Sequence, residues 1–420
     1  MSAIAPLRNP VFRNFWFATM ASNFGGLIQT VGAAWLMTII TDSATMVGLV
    51  YAASALPVVF LSLIAGTLAD RHSPRVVMLW AQVAMTVASA LLAGLTFAGA
   101  ISPWLLLFFT FVVGCGMALH TPSWQASFSQ IVTRAQLPDA VALNSIGFNL
   151  TRSVAPAIGG AIIVAAGAVA AFLINALSYL PLIAVIMRWH PKASGAAKPS
   201  GSFVSGMIEG VDYAIHEPPV ARVLARVLVF GLATICIQAL LPIVARDMLK
   251  GGAVDLGILL GAYGLGAVAT GLINDRLRGW FGAETIVRLG FLGFVASAVL
   301  TALSGNLWLT AFACMLGGAS WLTSLTLLNS SVQLATLRPY LARTLSIYQV
   351  ALFTGMALGS VIWGGLAEWF GPAGALLCAV SALLLGILMG FHQRFALTSQ
   401  QSNATAGRTA RDVTGDSPDQ

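Results

Sequence analysis

Long apolar runs and short polar breaks alternate along the whole chain. Twelve runs fall near 14–40, 45–69, 76–98, 103–121, 140–166, 168–187, 221–244, 255–273, 285–304, 307–329, 344–366 and 373–392. Each approaches the roughly 20 apolar residues that a helix needs to cross the hydrocarbon core of a bilayer. Gly167 is read as the turn that divides the block 140–187 into two spans. The pattern predicts an all-α polytopic membrane protein with twelve transmembrane helices. Shorter amphipathic pieces are expected at Phe203, Met207, Val211 and Ala214, which recur at helical spacing, and around Trp124, Phe128, Ile131 and Val132 between spans 4 and 5.

Composition agrees with a lipid solvent. The 420 residues are 58% hydrophobic and 8% charged, against about 25% charged in a soluble domain. The net charge of +7 follows topology. With an even number of spans, every Lys and Arg except Arg152, Arg246 and Lys250 falls on one side, which places both termini in the cytoplasm. No basic-aromatic soluble module accompanies that charge, so a nucleic-acid partner is not expected. The first span is longer than a signal-peptide core of roughly 7–15 residues and is read as retained. Cys115, Cys236, Cys314 and Cys378 all lie inside spans and are read as small apolar side chains.

The chain also repeats itself. Gly66-Thr67-Leu68-Ala69-Asp70-Arg71 after span 2 is answered half a chain later by Gly271-Leu272-Ile273-Asn274-Asp275-Arg276 after span 8. Pro10-Val11-Phe12-Arg13 is answered by Pro219-Val220-Ala221-Arg222, and Ala157-Ile158-Gly159 by Ala357-Leu358-Gly359. These matches predict two parallel six-helix bundles related by an axis along the membrane normal. The expected bundles are 1–189 and 220–394. A cytoplasmic linker with a short amphipathic helix occupies 190–219, and a disordered cytoplasmic tail occupies 395–420.

Asp70 and Asp275 each end a helix, where the partial negative charge disfavours a carboxylate. Arg71, Arg75 and Arg276 compensate in part, with Arg71 and Arg75 read near the lipid surface. The N-terminus of a neighbouring helix would complete the compensation. Gly66 through Arg75 resembles the signature loop of the major facilitator superfamily, and the likeness spans residues 10–394. It implies the two-bundle facilitator fold and alternating access. It also implies that Asp70 approaches Arg343-Thr344 at the start of span 11 to lock the gate. By symmetry Asp275 would approach Ala140 to Asn144.

Span 5 carries Arg152-Ser153-Val154-Ala155-Pro156-Ala157-Ile158-Gly159-Gly160. Pro156 with Gly159 and Gly160 permits a bent helix and close backbone approach. The stretch resembles the antiporter motif of drug-exporting facilitators, with Ala155 in place of its first glycine. Arg152 lies about 18 Å along its helix from Ala140 at 1.5 Å per residue, near the midplane, and is expected to face the protein interior or a water-filled cavity. A structural role bonding neighbouring carbonyls is the alternative.

No Asp or Glu lies deep in a span. Gly114-Cys115-Gly116 matches a facilitator stretch in span 4, but Thr110 stands where an arginine would precede it. Proton coupling would need another group, such as His120, which is itself read as a solvated interfacial residue, as are His72, His190, His216 and His392. The resemblance implies a substrate cavity lined from spans 1, 5, 7, 8, 10 and 11. Its candidates are Asn23, Gln29, Asn149, Arg152, Gln238, Tyr263, Asn329, Gln333, Tyr348 and Gln349. Asn175 on span 6 is assigned to packing.

No phosphate loop, HExxH, GxSxG or CxxC pattern is present, so an enzyme, a cofactor or a resident metal is not expected. Leu143-Asn144-Ser145, Leu241-Pro242 and Gly257 through Ala267 are similar to the bacterial enterobactin-exporter and macrolide-efflux branch. That likeness implies an inner-membrane antiporter, a monomer, exporting a hydrophobic or amphipathic small molecule such as a drug or siderophore, with a proton as the expected coupling ion. Uptake or uniport of a metabolite, or a non-transporting receptor, remain alternatives.

Overall fold

A computed structural model describes residues 4–71, 73–190, 203–280, 283–337 and 340–392. The polar tail and most of the hinge between the halves lie outside the described residues. So do the side chains of Asp70, Arg71, Asn149, Asp275 and Arg276, and the surroundings of Gly66.

The helix starts follow directly from local chemistry. α1 (Pro10–Ile40), α3 (Pro74–Phe97) and α4 (Pro103–Ile131) each begin with proline behind Asn9, Ser73 or Ser102, whose side chains accept from the first free backbone N–H groups. Proline loses nothing there, because its missing donor would be unpaired in any case. α2 (Ala44–Arg71) and α5 (Leu137–Arg188) complete the N-terminal half. After α6 (Phe203–His216) come α7 (Pro218–Ile243), α8 (Ala253–Trp280), α9 (Ala283–Leu303), α10 (Leu307–Ala335) and α11 (Leu341–His392).

Ten stretches among the described residues are long and apolar enough to cross a membrane. Two of them, α5 and α11, run for 52 residues each and are doubled back. The reversals are Gly167 (φ 76°, ψ 176°) and Gly371 (φ 70°, ψ 170°), a backbone region essentially reserved for glycine. Each therefore supplies two crossings, which gives twelve, with the expected turn at Gly167. The two halves are built alike: four helices, then one helix folded on itself. An even number of crossings puts both ends on one face, here the terminal face; the opposite one is the distal face.

Within the halves α1 packs on α5, and α7 on α11. Between them α5 meets α8 and α2 meets α11. One local expectation is overturned. Trp124, Phe128, Ile131 and Val132 do not form a separate surface piece. α4 runs unbroken to Ile131. Trp124 and Phe128 are buried in an aromatic knot with Phe12 and Phe15, in which Trp124 stacks on Phe15 at 5.0 Å. Aromatic area buried between helices outweighs exposure at the interface. α6 lies against the C-terminal half. Gly210 and Ala214 are buried, Tyr213 stacks on Tyr340 at 4.3 Å, and Glu209 pairs with Arg343 at 2.9 Å.

Candidate functional site

The most informative contact joins the halves near mid-membrane. Arg152, on the first arm of α5, lays its guanidinium over the Trp321 ring of α10, 4.0 Å from the ring centroid. The same cleft is lined by Tyr263, Gly264, Ala267 and Val268 of α8, and by Leu322. Holding an arginine at this depth costs about 2.5–3.5 kcal/mol on insertion scales. A desolvated cation–π contact returns about 2 kcal/mol, so Trp321 offsets most of that cost. Pro156 acts on the same spot. It has no N–H to give the carbonyl four residues back, which is that of Arg152, so the helix is weakened at the charged residue.

Tyr263 is 5% exposed, and its hydroxyl, beside Gln238, makes no hydrogen bond of good geometry. On α10, Trp321, Leu325, Asn329 and Gln333 recur every four residues and so share one face. Asn329 accepts from Gln333 at 2.6 Å and neighbours the buried Tyr348. This stripe runs from the Arg152 cleft toward the terminal face, where Gln333 is exposed. Asn23 is half-buried and Gln349 exposed.

On the distal side of Arg152 the halves are closed. A Cβ built on Gly160 would stand 2.5 Å from the Gly257 Cα, and one on Gly257 2.9 Å from the Gly160 Cα. The two backbones touch, which only paired small residues permit. Gly159 turns the other way, onto Ile28 and Val31 of α1. The second seam, α2 against α11, places Gly48 on the Ser360 carbonyl. Glu368 closes it by accepting from the Ser43 hydroxyl and from the Thr45 N–H at 3.1 Å. Arg246, fixed by Asp247, donates to the Thr38 carbonyl. These hydrogen bonds cross between the halves at the distal end.

Several expected site residues are placed elsewhere. Gln29 does not face the cavity. It is 3% exposed and accepts from Asn175 at 2.6 Å, and Asn175 also reaches Ser89 and Tyr179. An amide inside an apolar bundle needs a partner, and Asn175 supplies it. Arg75 is half-buried and its guanidinium is engaged within the protein. It donates to the carbonyls of Ile186 and Met187 at 3.1 and 2.6 Å, capping the end of α5 where a cation is favoured. His120 is not solvated; it is 3% exposed with neither ring nitrogen hydrogen-bonded. Arg343 pairs with Glu209 on α6, and Gly271 is exposed on α8. The expected approaches of Asp70 and Asp275 involve side chains outside the described residues.

Sequence reasoning overlooked Trp321, although its spacing from Asn329 and Gln333 marks the shared face. It also overlooked Arg226, which is 1% exposed and held by Glu284 at 2.9 and 3.0 Å, with Arg288 on the same carboxylate at 3.0 Å. The lone acid opening α9 with an arginine four residues on was the available signal.

Known proteins align with this arrangement. The family described as transmembrane secretion effector matches residues 1–413. The uncharacterized MFS-type transporter YfiS of Bacillus subtilis is 26% identical over 80% of this chain and 81% of its own length. The enterobactin exporter EntS of Escherichia coli is 24% identical over 91% of both chains. Macrolide efflux protein A of Streptococcus pyogenes is 23% identical over 88% of this chain and 94% of its own. The fold superposes on the nucleoside transporter NupG with a TM-score of 0.75 at 10% identity, covering 91% of this chain and 100% of that one.

Proposed function

The chain belongs to the transmembrane secretion effector family of major facilitator transporters, and from that premise we propose that it exports an amphipathic small molecule across the bacterial inner membrane. It is a transporter and not an enzyme. The terminal face is the cytoplasmic one, in keeping with its share of the Lys and Arg residues. Substrate enters from that face, reaches Arg152, and leaves when the distal seams part.

The observation that carries this reading is the position of Arg152. It sits on the proline-glycine arm of α5, touches Trp321 of the other half, and lies just inside the Gly160–Gly257 closure. A ligand there contacts both halves and can bias their relative position, which is what coupling binding to a conformational change requires. Export of enterobactin and of macrolides by relatives aligned over most of the chain supports the outward direction. In the opposite state Asp70 would meet the start of α11 at Arg343-Thr344, and Asp275 would meet the start of α5. A proton gradient drives the cycle, and a single chain performs it.

An efflux assay with a panel of drugs and siderophores in a pump-deficient host tests this reading, with and without a protonophore. Expression should lower retention of some panel members, and the protonophore should abolish the effect. Flux that ignores the protonophore would make the protein a uniporter. Accumulation only in right-side-out vesicles would make it an importer. No flux of any member in either direction would sink the transport reading.

A further inference from the structure

On the export reading above, we infer that the Arg152 cleft selects substrates carrying a planar acidic group on an aromatic skeleton, such as an aryl carboxylate, and disfavours cations. The first ground is how Trp321 meets the guanidinium. The guanidinium carbon stands over the ring, 4.0 Å from its centroid. An arginine carries five N–H donors in the plane of the group, more than one ring can cover, so donors remain for a ligand. A carboxylate can be held there in the two-pronged manner that arginine favours.

The second ground is the absence of a counter-charge. Between described residues Arg152 enters no ion pair. The sequence places no Asp or Glu in α1, α7 or α10, and those of α2, α5, α8 and α11 stand near helix ends or the Gly371 reversal: Asp70, Asp139, Asp255, Asp275 and Glu368. A basic amine entering the cleft would meet a like charge with no carboxylate to receive it.

Tyr263 supplies the third ground. Tyr263 is 5% exposed and lines the same cleft, and its buried hydroxyl, beside Gln238, makes no hydrogen bond of good geometry. A phenol in that state can donate to an incoming oxyanion. The cleft therefore offers two donors and an aromatic wall, with Ala267 and Leu322 for an apolar body.

Matched dansyl probes give the test: dansylglycine (anionic), dansylamide (neutral) and dansylcadaverine (cationic). Binding to the purified full chain in nanodiscs is read by energy transfer from tryptophan. Dansylglycine should bind about tenfold or more tighter than dansylcadaverine, as one charge-assisted contact allows. Arg152→Gln should erase the preference, Arg152→Lys should keep part of it, and Tyr263→Phe should weaken dansylglycine alone. Equal or tighter dansylcadaverine binding overturns the inference. So does unchanged dansylglycine binding by Arg152→Gln, or binding of neither charged probe at millimolar concentration. The readout needs no flux. Anion-selective binding without transport would leave the cleft assignment standing and remove export, whereas export confined to cations would do the reverse.

Discussion

The two seams that close the distal face occupy equivalent places in the two-fold plan, yet they are made differently. Where α5 meets α8, glycine lies on glycine, Gly160 on Gly257, with no polar contact between described side chains across the joint. Where α2 meets α11, Gly48 rests on a carbonyl and Gly364 faces the Ala44 carbonyl, while Ser43, Thr45 and Glu368 add a polar clasp at the rim. The first seam is short-range and intolerant, because its strength is dispersion between touching backbones. The second can be loosened in steps, since each hydrogen bond of the clasp can be exchanged for water. Arg152 lies directly inside the intolerant seam, so a ligand at Arg152 acts where a small displacement forfeits the most contact.

The sharpest way to break this contrast is Gly160→Val. Overpacking a tight joint costs about 1–3 kcal/mol, enough to shift a two-state balance about 5- to 150-fold. Export should fall about tenfold or more, and a cysteine reporter placed on the distal side of Arg152 should become more accessible from the distal face. Glu368→Gln should do less. Removing one exposed carboxylate weakens two hydrogen bonds that water can replace, so transport should change about two- to threefold. An effect as large as that of Gly160→Val would reverse the ranking of the seams. Arg75→Ala should leave the reporter unmoved and lower thermal stability by about 1 kcal/mol, the worth of a lost hydrogen bond, because Arg75 caps α5 within one half. Gln29→Leu should have the smallest effect on transport. It removes one of the three buried partners of Asn175, so a melting curve should register it before an efflux assay does.

These predictions rest on side chains that differ greatly in how far the sequence announced them. Spans, halves and the turn at Gly167 followed from run length and glycine chemistry. Arg152 was expected to face the interior because a charge at that depth has few other places to go. Which face each helix presents was harder to read. Gln29 and Gln238 look alike in sequence: each is a lone amide in an apolar run. One is tied to Asn175 inside a bundle, and the other sits beside Tyr263 at the cleft. In water, the polar side of a helix marks its exposed face; in lipid both sides are apolar and that contrast disappears. His120 escaped for a related reason. A span ending soon after it suggested contact with water, whereas α4 continues to Ile131 and holds His120 inside the bundle.

The sharp corners at Gly167 and Gly371 bear on biogenesis. A reversal made by one residue leaves no slack between the crossings it joins, so each pair must enter the lipid together as a closed hairpin. Such a corner offers little for a protease to cut and little room for an inserted epitope.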